Sequence, residues 1–181
     1  MHAPINYFSQ FVVKPDHVFE GLQKDLEWQR RGSTPRSEYY VNLLGPIPYT
    51  YGVGAGVREY LPQSSHPYID EMFTDLQKIT GVEFDVCFLN RYHNQSDHLG
   101  WHADDSPEMD DARPIAIVSL GVSREIWFRD NSELKVEKLK LEHGSLCLMK
   151  PGMQDTHQHR IPKAGFLCGE RISLTFRGYV G

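Results

Sequence analysis

The spacing of apolar residues changes at Gly81 from a helical period to a period of two, and this change constrains the fold more than any other feature. Before it, apolar residues recur three and four apart over 15–28 and 67–80, which predicts two amphipathic helices. Each segment begins with proline, which is favoured in the first helical turn, and Gly81 is a typical helix stop. The first 80 residues therefore carry the helices.

Short strand candidates follow one another through the rest of the chain, separated by turns rich in Gly, Asp, Asn and Pro. In the first of them, over 83–93, one face would carry Phe84, Val86, Phe88, Asn90 and Tyr92. The other candidates are 114–120, 125–129, 134–140, 145–149 and 171–177. Two helices followed by many short strands predict an α+β fold, with an antiparallel β-sandwich or jelly roll backed by the helices.

Length, net charge and cysteine content exclude several classes of protein. The 181 residues have room for one domain, and a net charge of −5 argues against a histone-like nucleic-acid binder while permitting a local basic face. No run of 18 apolar residues is present, so we expect no membrane partner. Three cysteines without a CxxC pair, and a start that does not resemble a signal peptide, predict reduced thiols and a cytoplasmic protein.

The spacing of three histidines and one aspartate predicts a metal site. His102 and Asp104 stand two residues apart, and at the start of a strand they would point to the same face. His157 or His159 would complete a set of two histidines and one carboxylate, which leaves coordination positions open and is typical of non-haem Fe(II) oxygenases. The alternatives are an ion pair in a loop and a surface turn with solvated histidines.

The segment 171–177 alternates between polar and apolar residues. One face would carry Arg171, Ser173, Thr175 and Arg177, opposite Ile172, Leu174 and Phe176. Two arginines that face the inside of a β-structure are costly unless paired, and a dicarboxylate would pair both. Asn90 and Tyr92 could donate further hydrogen bonds to such a ligand. A solvated edge strand is the alternative.

These segments together resemble the AlkB family of Fe(II)/2-oxoglutarate-dependent dioxygenases over about 35–178. The matching motifs are, in order, Asn90-Arg91-Tyr92, His102-x-Asp104, Pro114 through Gly121, His143-Gly144-Ser145-Leu146, His159-x-x-Pro162-Lys163 and Arg171-x-Ser173-Leu174-Thr175-Phe176-Arg177. The resemblance implies one dioxygenase domain over 1–181, a double-stranded β-helix (jelly roll) with a core over about 82–178. It also implies an N-terminal nucleotide-recognition lid over about 28–62.

The resemblance also implies the roles of residues. The iron ligands would be His102, Asp104 and His159, with His157 in reserve because His159 has the family's spacing to Pro162-Lys163. The residues that bind 2-oxoglutarate would be Asn90, Tyr92, Arg171, Ser173 and Arg177. With Fe(II), 2-oxoglutarate and O2, the implied activity is oxidative demethylation of alkylated bases in DNA or RNA, releasing succinate, CO2 and formaldehyde.

Three alternatives stay open at this point. The same cofactors would serve for hydroxylation of an unmodified base or of a protein side chain, and a metal-bearing module could bind nucleic acid without turnover. We expect a monomer, located in the cytoplasm, associated with the nucleoid in a bacterium or in the nucleus of a eukaryote.

Basic and aromatic residues are interleaved in the lid region, a combination that suits a phosphate backbone and a flipped, stacked base. They are Trp28, Arg30, Arg31, Arg36, Tyr39, Tyr40, Tyr49, Tyr51 and Arg58. By the resemblance, Arg36, Tyr49 and Tyr51 would bind substrate, with Tyr51 stacking on the base and Tyr49 near the metal. The alternative is that these tyrosines are half-buried strand residues.

Two positions depart from the family pattern. Ser173 stands where asparagine is typical, and Ser106 stands where many DNA-repair members carry an acid that contacts the damaged base. Either Glu108 replaces that acid or the substrate differs.

Overall fold

Strand pairing is antiparallel throughout the residues that the computed structural model describes, which are 1–32, 36–51 and 58–181, with the Tyr51 side chain outside them. The strands are β1 (Ile5–Phe8), β2 (Ser37–Asn42), β3 (Tyr49–Tyr51), β4 (Arg58–Tyr60), β5 (Val86–Tyr92), β6 (Leu99–His102), β7 (Ile115–Gly121), β8 (Arg124–Asp130), β9 (Val136–Leu141), β10 (Ser145–Met149), β11 (His157–Ile161) and β12 (Arg171–Arg177). The helices are α1 (Pro15–Asp25), α2 (Pro67–Thr80) and α3 (Met153–Thr156).

The described strands form two large sheets and one hairpin. The six-stranded sheet has the order β1-β10-β7-β12-β5-β2, the four-stranded sheet has the order β6-β11-β8-β9, and β3 pairs with β4. Apolar residues of the two large sheets pack against each other in one buried cluster, which includes Tyr92, Ile117, Phe128 and Ile161. Two facing antiparallel sheets backed by helices confirm the predicted jelly-roll fold class.

The two long helices cover the outer face of the six-stranded sheet. Leu22 of α1 and Leu76 of α2 are fully buried in the same cluster as Leu174 of β12. The helix predicted over 67–80 is confirmed at both ends, since the His66 side chain accepts a hydrogen bond from the Tyr68 amide (3.1 Å) and Gly81 takes a left-handed conformation (φ 71°). The six-stranded sheet is thus buried on both faces.

The first helix is shorter than the sequence predicts. It ends at Asp25 rather than at residue 28, because Leu26 takes an extended conformation. The Trp28 indole N–H then folds back and donates to the Leu22 carbonyl (3.1 Å). The Leu26 side chain, four residues after Leu22, still packs against the core, which is why the apolar spacing predicted a longer helix. Within the described residues, no helix is both long and apolar enough to cross a membrane.

Candidate metal and cosubstrate site

A cavity lies between the two large sheets, and the β3–β4 hairpin contributes to its wall. Its polar and charged lining residues are Arg36, Glu38, Asn90, His102, Asp104, His159, Arg171, Ser173, Thr175 and Arg177. Its aromatic lining residues are Tyr40, Tyr49, Tyr60, Phe88 and Tyr92. The polar face predicted for β12 therefore points into the cavity, and the apolar face of β12 points to the helices.

Strand register brings the two histidines together. His102, the last residue of β6, lies opposite His159 of β11, and their ring centroids are 4.2 Å apart. Asp104 follows β6 in a loop rather than lying within a strand as we had expected, and its two oxygens are 3.5 Å from Nε2 of His102 and of His159. One ligand atom from each residue lies within 4.8 Å of the others, a spacing that one metal ion can bridge.

The backbone of Asp104 is held by two side chains. Its N–H donates to Oε1 of Gln154 (2.9 Å), and its carbonyl accepts from Nη2 of Arg177 (2.6 Å). Gln154 is buried in α3, a single turn whose short segment shows no period that sequence reasoning could detect. These bonds fix the loop so that the carboxylate turns towards the histidines.

The three groups shift one another's ionisation. Burial alone would raise the pKa of Asp104, but hydrogen bonds and charge from His102 and His159 hold it well below its usual range. Burial and the positive charge of His102 lower the pKa of His159. Burial also opposes the charge on His102, but the Asp104 carboxylate outweighs it and raises the pKa of that histidine. A divalent cation binds the ionised carboxylate and both imidazoles in their neutral form, so its binding would displace the proton that the carboxylate favours on His102.

His157 stands outside this set. It precedes His159 by two residues on β11, and its Nδ1 lies 2.8 Å from the Thr156 hydroxyl. Its Nε2 is 3.9 Å from a carboxylate oxygen of Asp130, and it does not line the cavity. The structure therefore groups His159, and not His157, with His102 and Asp104.

Arg171 is a buried cation with unused donors. Its side chain is fully buried, and Nη2 donates to the Ser119 hydroxyl (2.9 Å) while the guanidinium lies 5.2 Å from the centre of the Tyr92 ring. Nε and Nη1 have no hydrogen-bond partner among the residues that the structure describes. Burial lowers the pKa of Arg171 to about 10. Unpaired buried donors on a charged group are costly, so this end of the cavity is suited to an anion.

The other predicted cosubstrate residues surround Arg171 on the same sheet. Register pairs Arg171 with Tyr92 and Ser173 with Asn90, and all four line the cavity. Arg177, at the opposite end of β12, lies beside the metal set through its bond to Asp104. The strand alternation predicted from sequence thus brings all five residues to one cavity.

The lid residues are placed in different ways. Arg36 is buried, and its Nε donates to the Asn90 side-chain carbonyl (2.9 Å). It therefore contacts a residue predicted to bind 2-oxoglutarate and does not face solvent. Tyr49 is buried and its hydroxyl lies 2.8 Å from that of Ser106, two residues beyond Asp104. Burial raises the pKa of Tyr49, so its phenol stays protonated. The Tyr51 side chain lies outside the described residues.

Arg30 and Arg31 of the lid region also have partners within the chain. Arg30 forms an ion pair with Asp97 (2.9 Å), and Arg31 lies over the Tyr60 ring at 4.3 Å while donating to the Glu59 carbonyl. Glu108, the candidate for the missing acid, does not line the cavity.

Sequence reasoning missed Glu38, Tyr40 and Tyr60 as cavity residues. Glu38 and Tyr40 alternate along β2 and pair with Asn90 and Phe88, the residues that the alternation of β5 does predict. The missing signal was the pairing of β2 with β5, which an isolated segment does not reveal.

Comparison with known proteins agrees with this geometry. Residues 48–177 match the family model described as the 2OG-Fe(II) oxygenase superfamily. The chain is 34% identical over 180 residues to "Alpha-ketoglutarate-dependent dioxygenase alkB homolog 3" of Bos taurus, covering 92% of this chain and 62% of that protein. It is 32% identical over 184 residues to "DNA oxidative demethylase ALKBH2" of Mus musculus, covering 91% of this chain and 75% of that protein.

A solved structure gives the same fold at lower identity. The structure of OsALKBH1 matches with a TM-score of 0.66 and 17% identity, over 98% of this chain and 99% of that one. The chain thus spans under two thirds of the length of the bovine relative but nearly all of the OsALKBH1 chain.

Proposed function

Because the chain belongs to the 2OG-Fe(II) oxygenase superfamily, we propose that it is a dioxygenase that uses Fe(II), 2-oxoglutarate and O2 to demethylate alkylated nucleobases. One observation carries the proposal: two histidines and a carboxylate converge in a cavity that also holds a buried arginine with unused donors. The names of the relatives, a DNA oxidative demethylase and an alkB homolog, support the substrate class, as does the confirmed AlkB resemblance.

The metal donors fit Fe(II). His102, Asp104 and His159 would hold it through two nitrogens and one oxygen, a ligand set that leaves positions open for a cosubstrate and O2. When bound, Fe(II) supplies the redox chemistry by which O2 oxidises both 2-oxoglutarate, to succinate and CO2, and the methyl group, which is lost as formaldehyde. Gln154 and Arg177 keep Asp104 oriented through its backbone, as supporting residues commonly do at metal sites.

The cavity also fits 2-oxoglutarate. Arg171 would pair one carboxylate through its unused Nε and Nη1, and Arg177, next to the metal set, would neutralise the other. Asn90 and Tyr92 would add hydrogen bonds from the neighbouring strand, and Ser173 would provide a shorter donor than asparagine. Because Arg171 is buried, water does not solvate its charge, and a bound carboxylate would neutralise it.

Residues of about 28–62 would form the nucleotide-recognition lid. The β3–β4 hairpin brings Tyr49 and Tyr60 into the cavity wall, with their rings stacked at a centroid distance of 6.1 Å. A base must leave the helical stack to reach a buried metal, and aromatic walls favour the flipped base. Tyr51 would stack on that base. We expect the chain to act as a monomer.

Succinate formation tests the proposal. The purified chain with Fe(II), 2-oxoglutarate and ascorbate would be offered methylated single-stranded DNA, duplex DNA, RNA and peptides, each beside its unmethylated counterpart. We expect succinate to rise with methylated nucleic acid above the unmethylated control. Stimulation by peptides or by unmethylated nucleic acid alone would instead indicate hydroxylation of a side chain or a normal base. No turnover with any substrate would indicate a binding module.

A further inference from the structure

Glu38 presents a buried carboxylate to the same cavity, with one oxygen unused. The residue is 2% exposed. Its Oε2 accepts from the Tyr60 hydroxyl (3.0 Å), and Nη2 of Arg36 lies 3.5 Å from the same oxygen. Its Oε1 has no hydrogen-bond partner in the part of the chain that the structure describes. Arg36 thus compensates the charge from one side only.

Burying an ionisable group with an unmet acceptor is costly, and such groups mark places where a ligand completes the site. Among the described lining residues, only Glu38 and Asp104 carry carboxylates, and Asp104 lies between the two histidines. Glu38 is therefore the carboxylate of the cavity that remains free to contact a substrate.

The surroundings of Glu38 suit a flat, positively charged ring. Tyr60, which holds one oxygen of the carboxylate, stacks with Tyr49 and packs edge-on against Phe88 at 4.9 Å. Tyr49 in turn reaches Ser106 beside the metal set. An aromatic wall with a carboxylate at its edge attracts a cationic ring through both the π faces and the charge. The 2-oxoglutarate dianion, by contrast, would be repelled by Glu38.

We propose that Glu38 determines lesion specificity by binding the exocyclic amino group of a cationic N-methylated base through Oε1. Methylation of N3 of cytosine leaves a positively charged ring with an amino group that donates hydrogen bonds. Methylation of N3 of uracil leaves a neutral ring with a carbonyl at the same place. That carbonyl and the Glu38 carboxylate are both hydrogen-bond acceptors, so they would repel each other. The inference rests on the proposed function and names the residue that selects its substrate.

The experiment compares these two lesions, which have nearly the same shape, in one oligonucleotide sequence. The wild-type chain should convert 3-methylcytosine with a kcat/KM at least tenfold above that for 3-methyluracil. Glu38→Gln keeps the shape of the side chain and removes its charge. It should lower kcat/KM for 3-methylcytosine at least tenfold and leave that for 3-methyluracil within about twofold, because an uncharged amide no longer favours a cation.

Controls separate recognition from structural support. Glu108→Gln removes a carboxylate that does not line the cavity and should leave the preference unchanged. Glu38→Asp retains the charge and should keep part of the preference. If Glu38 only positions Arg36 and Asn90, Glu38→Gln should raise the KM for 2-oxoglutarate and slow both lesions equally, which would overturn the proposal. An unchanged preference would overturn it too.

Measuring oligonucleotide binding without turnover distinguishes failure of this proposal from failure of the proposed function. Both oligonucleotides would be titrated onto wild type and Glu38→Gln with Mn(II) and 2-oxoglutarate under anaerobic conditions. A charge-dependent preference in binding without turnover would support Glu38 and reject the demethylase. Turnover of both lesions with no effect of Glu38→Gln would support the demethylase and reject Glu38.

Discussion

Replacing Arg171 with methionine should make the protein more stable and strongly weaken its binding of 2-oxoglutarate. Burial lowers the pKa of Arg171 from its usual range to about 10, and this shift means that holding the charge in the folded chain costs about 3 kcal/mol at neutral pH. Because the pKa is lowered in the folded state, this destabilisation is present at neutral pH and is relieved as pH rises through about 10.

Methionine removes that unfavourable charge but also removes two contacts. The hydrogen bond to Ser119 contributes about 1 kcal/mol and the contact with the Tyr92 ring about 0.5–1 kcal/mol. The net gain is about 1 kcal/mol, or about 2–4 °C in Tm for a chain of this size. The ligand loses its buried partner, at about 3–5 kcal/mol, so affinity for 2-oxoglutarate should fall at least about a hundredfold.

Thermal unfolding with Mn(II) and increasing 2-oxoglutarate measures both effects, because a ligand of the folded state raises Tm with its concentration. Arg124→Met is the matched control. Arg124 is also buried and lies 5.5 Å from the same Tyr92 ring, but it donates to the carbonyls of Asp97 and Pro162 and does not line the cavity. It should lower Tm and keep the shift with 2-oxoglutarate. A less stable Arg171→Met that still responds to 2-oxoglutarate would refute the reasoning.

Four further outcomes follow from the site. In Mn(II) titration calorimetry, His159→Ala should lose metal binding, whereas His157→Ala should bind as wild type; the reverse would exchange the two histidines. Gln154→Ala should weaken Mn(II) binding about 10–100-fold, since it frees the Asp104 loop, and unchanged affinity would exclude that role. Ser173→Asn should tighten 2-oxoglutarate binding by about 0.5–1.5 kcal/mol if the shorter side chain costs a hydrogen bond, and no gain would show the gap already filled. Tyr51→Ala should raise the KM for oligonucleotide at least fivefold without slowing uncoupled 2-oxoglutarate decarboxylation, because stacking contributes about 1–3 kcal/mol per base; an unchanged KM would exclude stacking.

Sequence periodicity predicted the strands and helices that have one polar face and one apolar face. The alternation over 171–177 separates the arginines from Ile172, Leu174 and Phe176, and the structure confirms both faces because one meets the cavity and the other meets the helices. The helix over 67–80 was predicted equally well, since proline and glycine mark its ends.

Other strands gave no periodic signal for physical reasons. In β11 the buried position is occupied by His159, which is polar, so the strand shows no alternation of apolar and polar residues. In β2 the five residues from Ser37 to Val41 are all buried, so no exposed face alternates with a buried one. The sequence pattern therefore did not single out Glu38, although it lies in the cavity wall.

The product of the reaction tests the proposed activity most directly. An oligonucleotide that carries one N-methylated base would be incubated with the chain, Fe(II), 2-oxoglutarate and ascorbate, and then analysed by mass spectrometry alongside formaldehyde and succinate. We expect the unmodified base to appear with one formaldehyde per base restored, and we expect no restoration when Fe(II) is omitted or when His159→Ala replaces the wild type. Succinate formed while every methylated base of a DNA and RNA panel stays intact would contradict the assignment as a nucleobase demethylase.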